Sequence, residues 1–516
     1  MPFTSALFHC RDTPPPPTRL RVNWHVVTAS ESETCGEAAK RLLPPHRRIP
    51  LAATTYPTAT VLTERRREHL ADNEPSRGNM SVPVTNDVSL TQSERLDALR
   101  EGAAHFTFPA WAPESNNHIH TCYSFSPYTP THAALRARQA GLRVVGSVDH
   151  DSIAAAPEMS EACRILSMGS VTGFEIRAFF DDTPDGPFAS RKLNNPDSAG
   201  MAYLTVQGVP APSREKADQW LAPKRVARLQ RTLEMAERAN KILAGLNLTP
   251  FDPQRDMVDH SQYANGGGIT ERHLLAAMAR ALINGFGRGQ ALLDGLATMN
   301  VEVPAPLVDR LGDEANPYLM YDLLGLLKSE YLQQIYIQPS HEECPTAREV
   351  VAFADSIGAI ATYAYLGDVS ASPTGDKKAE KFEDSFLDEL FEALEERGFR
   401  AVTYMPPRNT DEQLARIHEL ATQHGMLEIS GVDINQPRQS FNCPELRREE
   451  FAGLNQATWA LVAHEALTSV DPQLHLLGSG RLSPQDLVAR IEQYAPLGRE
   501  YADGTPAEDI ASRLTA

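Results

Sequence analysis

Cysteine is scarce and scattered. Six thiols in 516 residues (Cys10, Cys35, Cys122, Cys163, Cys344, Cys443) form no CxxC pair and no dense framework. That excludes a disulfide-stapled scaffold and leaves reduced thiols in a cytoplasmic protein as the expectation. No apolar run approaches the roughly 18 residues needed to cross a bilayer, so no membrane association is expected. The short apolar patch at the N-terminus is broken by Arg11 and Asp12 and then by Pro14 to Pro17, which fails the pattern of a secretory signal. Positive charge is also in deficit, with 49 Lys and Arg against 67 Asp and Glu, net -18. An acidic balance opposes binding to nucleic acid or to an anionic membrane, while leaving room for a small anionic substrate. What remains, 41% hydrophobic and 22% charged residues, is the composition of an ordinary globular chain.

The charge is unevenly spread. Residues 1–79 hold 11 Lys/Arg and 8 Asp/Glu, net +3, which leaves net -21 on residues 80–516. Ten of the 38 prolines fall in that first stretch. Such a segment buries too little apolar surface to offset its ordering entropy and reads as a disordered extension, with Met80 as a plausible start of the folded product. From residue 85 onward, short apolar runs alternate with helical segments. Strands are predicted at 117–122, 143–148, 171–178, 202–208, 359–365, 401–405 and 427–431. Helices are predicted at 131–140, 152–166, 377–397 and 410–424, two of them ending at Gly398 and Gly425. The alternation predicts an α/β fold with a parallel sheet, and seven units suit a barrel better than an open sheet. Residues 210–345 interrupt the rhythm with helical sequence, including a long helix at 213–246 and another at 270–284. The organisation read from this is 80–209 and 346–460 as the two parts of a barrel, 210–345 as an insertion over its active face, and 461–516 as a C-terminal helical segment.

The most informative stretch is Asn117-His118-Ile119-His120-Thr121-Cys122, at the end of the first predicted strand. Residues i and i+2 of a strand face the same side, so His118 and His120 present two imidazoles to one ion. The next strand runs into Asp149-His150-Asp151, and the one after it ends at Gly173-Phe174-Glu175. Three successive strands thus deliver His/His, Asp/His/Asp and Glu to their carboxyl ends, the edge where barrel enzymes place their chemistry. Read without a metal, Asp149 or Asp151, more readily the latter, would be the N-cap of the helix from Ser152, and Glu175 a solvated strand residue.

These motifs, HIHTCYS, GLRVVGSVDHDS and GFEI, resemble in order and spacing the N-terminal half of the PHP (polymerase and histidinol phosphatase) superfamily of metal-dependent phosphoesterases. The resemblance covers about residues 116–180. It implies a distorted seven-stranded (β/α) barrel that hydrolyses phosphate esters with divalent ions, typically zinc, manganese, magnesium or iron. By position it implies metal-ligand roles for His118, His120, His150 and Glu175 and a catalytic role for Asp149 and His150. The later motifs depart from the family pattern. Where a histidine is usual at a strand end, this chain reads Thr362-Tyr363-Ala364, with Tyr363 nearest its place; where Gly-Ser-Asp-x-His is usual, it reads Gly431-Val432-Asp433-Ile434-Asn435. Asp433 keeps the aspartate and Asn435 replaces the histidine. His118, His120, Glu175 and Asp433 are then the residue types of one complete ion site, with a second ion held by Glu175 and His150.

Arg408, between a strand and the helix at Thr410, and Arg438 with Asn435, just after Asp433, are read as contacts to a substrate phosphate; for Arg408 a surface position beside an N-cap is the alternative. The glycine run 266–268 before Thr270 reads as a loop and N-cap, or as a hinge that brings Arg272 or His273 over the barrel. His341, His464 and His475 carry no motif and read as structural. The function expected is hydrolysis of a small phosphorylated metabolite. The alternative is a degenerate barrel that binds a ligand or partner without turnover. Polymerase-associated editing, known for some members of the superfamily, is opposed by the net charge.

Overall fold

The computed structural model describes residues 82–369, 381–478 and 486–515. The extension read at 1–79 and the start of the helix read at 377–397 lie outside them. Seven strands form one sheet in sequence order: β1 Ser115–Ile119, β2 Val144–His150, β3 Gly169–Phe179, β4 Met201–Gln207, β5 Ile360–Ala364, β6 Ala401–Tyr404 and β7 Leu427–Ser430. Just past β7, Ile434 bridges back to β1, where the His120 N–H donates to the Ile434 carbonyl (3.0 Å) and the Ile434 N–H to that of His118 (3.2 Å). The sheet is therefore nearly closed as an α/β barrel.

The expectation of a parallel sheet needs one correction. β4 runs antiparallel to both β3 and β5, while the other four pairs are parallel. The chain returns from β3 through a loop without a helix, and only a parallel return demands a long crossover. Asn194 ties that loop down: its side chain accepts from the Tyr203 N–H (2.7 Å) and donates to the carbonyls of Tyr203 (2.8 Å) and Ala364 (2.6 Å).

Helices cover the outside. α1 Pro130–Gln139 follows β1, with Thr129 as N-cap and proline at its first position, where the missing N–H costs nothing. α2 Ala156–Ile165 follows β2 and begins four residues later than read. Asp151 is not its cap: it has φ +53°, and its carboxylate is held 2.6 Å from Arg228. Between β4 and β5 come α3 Arg214–Gly245, α4 Glu271–Phe286 and α5 Leu319–Glu330, which share an apolar core of their own around Met235, Leu274, Leu282, Leu323 and Leu327. α6 Ala347–Ser356 leads into β5, α7 Leu387–Glu396 into β6 and α8 Asp411–Gln423 into β7. Gly398 and Gly425, at φ +88° and +61°, end α7 and α8 as read. Among the described residues no helix is long and apolar enough to cross a membrane.

The amino end of the barrel is plugged by α9 Ala452–Thr468. Its apolar residues pack with Val144, Val171, Ile360, Ala401 and Leu427, which lie at the starts of five strands. Its Glu465 accepts from both the N–H and the hydroxyl of Thr172 (2.6 and 2.8 Å). α10 Leu487–Ala502 crosses α9 at Gly498, where a Cβ would meet the Trp459 carbonyl oxygen at 2.0 Å. Alanine favours an isolated helix by about 1 kcal/mol over glycine. Here the contact reverses the sign: Gly498→Ala is expected to destabilise by roughly 1–3 kcal/mol through overpacking, read as a lower denaturant midpoint.

Candidate metal centre

β1 carries His118 to the carboxyl edge of the barrel, with His120 immediately past its end, β2 carries His150, and β3 carries Glu175, the register partner of His150. Asp433 arrives from the turn after β7. All five side chains converge. The Nε2 of His120 lies 3.3 Å from Asp433 Oδ1 and 3.7 Å from Glu175 Oε2; His118 Nε2 lies 3.8 Å from Glu175 Oε1, and His150 Nδ1 2.9 Å from Glu175 Oε2. The donors divide into two groups that could hold a metal ion, His118, His120 and Asp433 in one and His120, His150 and Glu175 in the other. The sequence reading put Glu175 in a four-residue site with His118, His120 and Asp433 and again with His150; here His120 is the residue common to both groups, and Glu175 falls with His150 alone.

The donor spacing fits a small divalent ion. Four ligands at 2.0–2.2 Å around a tetrahedral ion lie about 3.4 Å from one another, close to the contacts of His120 and His118 with the two carboxylates. Burial holds His118 below and His150 well below the usual imidazole pKa, so both present neutral nitrogens, the form that ligates a metal. His120 is raised: burial opposes its protonation, but the hydrogen bond and charge of Asp433 outweigh it. Burial pushes Glu175 upward, whereas Asp433, despite burial, is held well below the usual range by His120 and His118 and less by Arg272. The close seat of His118 requires Gly431, where a Cβ would stand 2.6 Å from the histidine's own Cβ.

Asp149 of the same motif is directed elsewhere. It is buried, with Oδ1 accepting from the Thr121 N–H and the Ser124 hydroxyl and Oδ2 from the Thr121 hydroxyl, each at 2.6 Å. Ser124 in turn lies 3.3 Å from Nδ1 of His120. Asp149 therefore orients the turn and, through Ser124, the shared histidine, as outer-shell carboxylates do.

Four of the five, His118, His150, Glu175 and Asp433, border a cavity of about 100 Å³, together with Asn435. Drug-sized ligands occupy roughly 300–1,000 Å³, so the enclosed part suits a compact group. Asn435 donates to Asp433 Oδ1 (2.6 Å) and so steadies that carboxylate. Tyr363 does not take the place of the missing histidine: its ring lies in the apolar core and does not line the cavity, while the next residue, Ala364, does. Arg408, in the turn after β6, is not among the cavity-lining residues. Arg438 turns away too, pairing with Asp322 of α5 (2.8 Å). His273 is occupied in the helix cap, accepting from the Thr270 N–H (3.0 Å), whereas Arg272 beside it lines the cavity. Lys328 of α5, Tyr203 and Asp197 also line it and carried no signal in the sequence; Lys328 in particular is one polar position of an ordinary amphipathic helix.

Behind the cavity-lining Leu366, whose N–H donates to Oε1 of Glu383 (2.8 Å), that buried carboxyl is pushed up to about 7 by burial. Its folded pKa exceeds the unfolded value, so the folded state keeps a proton that the unfolded chain has released. Stability therefore falls as pH rises from about 4.5 to about 7, by up to roughly 3 kcal/mol. Glu383→Gln keeps an acceptor for Leu366 without the charge. It is expected to flatten this decline, leaving the variant more stable than the parent at pH 8, in denaturant titrations compared at pH 5 and 8.

No family model matches the chain, and no curated protein matches it at a significant level. Solved structures similar to it include a candidate metal-dependent phosphoesterase from Bifidobacterium adolescentis, 21% identical, over 67% of this chain and 98% of that one, with a TM-score of 0.43. Another is an amidohydrolase from Chromobacterium violaceum with bound sulfate and no metal, 15% identical, over 67% and 96%, with a TM-score of 0.41.

Proposed function

We propose that the chain is a metal-dependent hydrolase acting on a small phosphate ester. The observation that carries this reading is the pair of donor groups sharing His120 at the carboxyl edge of the barrel, opening on a small cavity. When bound there, a divalent ion supplies Lewis-acid polarisation of the ester oxygen and lowers the pKa of a bound water toward about 7. The chain's own residues do the rest. His118, His120 and Asp433, and His150 with Glu175, would hold ions, one to two in all, of a mixed nitrogen and oxygen preference that suits zinc, manganese or iron. Ser124 and Asp149 fix the ring of His120, and Asn435 fixes Asp433.

The test is direct. Chelation should abolish turnover of p-nitrophenyl phosphate, and manganese or zinc should restore it, with metal content measured in parallel. Purified protein that retains no divalent ion at any tested concentration would overturn the reading. A second reading, a barrel that binds its ligand without turnover, is favoured by Asn435, which offers no imidazole where the family pattern has one. It predicts metal-dependent thermal stabilisation by phosphate esters with no product across a broad panel.

A further inference from the structure

Most buried or half-buried cations of this acidic chain are neutralised. Arg177, Arg228 and Arg231 are matched by Glu271, Glu343 and Asp151. A larger cavity of about 480 Å³ at the amino end of the barrel is lined by four arginines, and each is held: Arg143 by Asp503, Arg447 by Glu114, Arg448 by Asp411 and Arg499 by the side chain of Gln456. Arg438 has Asp322.

Two cations break the pattern, and both line the cavity at the metal centre. Arg272, the second residue of α4, and Lys328, in the last turn of α5, are half-buried, and neither has an ion pair or side-chain hydrogen bond among the described residues. Withdrawing a charge from water without a partner costs free energy that a neutral residue would not incur. Of the nearby carboxylates, Asp433 feels the charge of Arg272, but it and Glu175 belong to the two donor groups, which leaves Asp197, on the β3–β4 loop, as the remaining acid on the cavity wall. With an ion in place the cavity becomes positive, in a described chain that is acidic overall.

We infer that Arg272 and Lys328 are the residues that select the substrate's charge, recognising a phosphomonoester dianion and disfavouring a neutral amide or ester. The inference rests on the metal-hydrolase reading and names its substrate class. It moves anion recognition from Arg408 and Arg438 to the helices between β4 and β5, so the helical segment supplies the specificity and the barrel supplies the metal ligands. Arg272 presents a planar fork of donors suited to two phosphate oxygens, and Lys328 a point charge.

The experiment uses the full-length, manganese-loaded protein with inorganic phosphate as the probe in calorimetric titration. p-Nitrophenyl phosphate, a dianion, and bis(p-nitrophenyl) phosphate, a monoanion, serve as substrates. Arg272→Ala and Lys328→Ala should each weaken phosphate binding by roughly 10- to 100-fold, the effect of losing a charge-assisted hydrogen bond. KM for the dianion should rise more than for the monoanion. Arg272→Lys should recover part of the loss, and metal content should stay at the parental level in all three. Unchanged phosphate affinity in both alanine variants, at full metal content, overturns the inference. Absence of bound metal in the parent overturns the underlying hydrolase reading instead.

Discussion

His120→Ala is expected to empty both donor groups at once. Its Nε2 is common to the two: it lies 3.3 Å from Asp433 and 3.7 Å from Glu175, so removing it leaves His118 with Asp433 on one side and His150 with Glu175 on the other. Two donors are too few for a divalent ion that takes three or four protein ligands. His118→Ala and His150→Ala should act differently, because each spoils one group and spares the other. Metal analysis of the three purified variants therefore gives a pattern: near-complete loss for His120→Ala and partial loss for the other two. Turnover of a phosphate ester should follow metal content, falling by roughly a thousandfold or more for His120→Ala if the ion both generates the nucleophile and stabilises the developing charge. Equal loss for His118→Ala and His120→Ala, with His150→Ala near the parental level, would mean that the four-ligand site the sequence suggested is the one that fills. Full retention by His120→Ala would remove the metal centre altogether.

The reason the sequence led to a four-ligand site beside a second ion on Glu175 and His150 lies in what period and order can convey. The HxH pair is legible because i and i+2 share a strand face, and His150 and Glu175 because each ends its own apolar strand. Strand order then brought them to one edge. Which donor stands nearest which is decided by register: β2 pairs with β3 so that His150 faces Glu175, a pairing anticipated only through the resemblance, and the sharing of His120 between the two groups has no trace in composition. The same holds for Tyr363. A shift of one residue exchanges the faces of a strand, so a motif matched by position placed Tyr363 at the site, while its neighbour Ala364 took the cavity side. Asp149 was legible as part of the motif but not in its role, because only the turn through Thr121 and Ser124 shows where its oxygens are spent. The reversal of β4 was hidden for a similar reason: a strand reads alike in either direction.

Glu271→Ala is expected to be the most destabilising single change outside the metal centre. Its carboxylate lies within 3.0 Å of Arg177 and 2.7 Å of both Arg228 and Arg231, and although burial opposes ionisation, the three guanidiniums hold its pKa well below the ordinary range. Removing it leaves three buried cations facing only Glu343 and Asp151. Breaking a buried ion pair by deleting one partner costs about 3–5 kcal/mol, because the surviving charge is uncompensated. A denaturant titration should show a loss of that order, and Glu271→Gln, which keeps an acceptor without the charge, should fall between the variant and the parent. The position also couples stability to the site. Arg177 belongs to β3, two residues past Glu175; Asp151 follows His150; and Glu271 immediately precedes Arg272 on the first turn of α4. The buried charges thus fasten the helical segment to the two strands that carry His150 and Glu175, and the same helix start aims Arg272 into the cavity. At denaturant concentrations where Glu271→Gln remains folded, its phosphate affinity should therefore drop while its metal content holds, since the ligands stay on the barrel and the selecting cation loses its anchor.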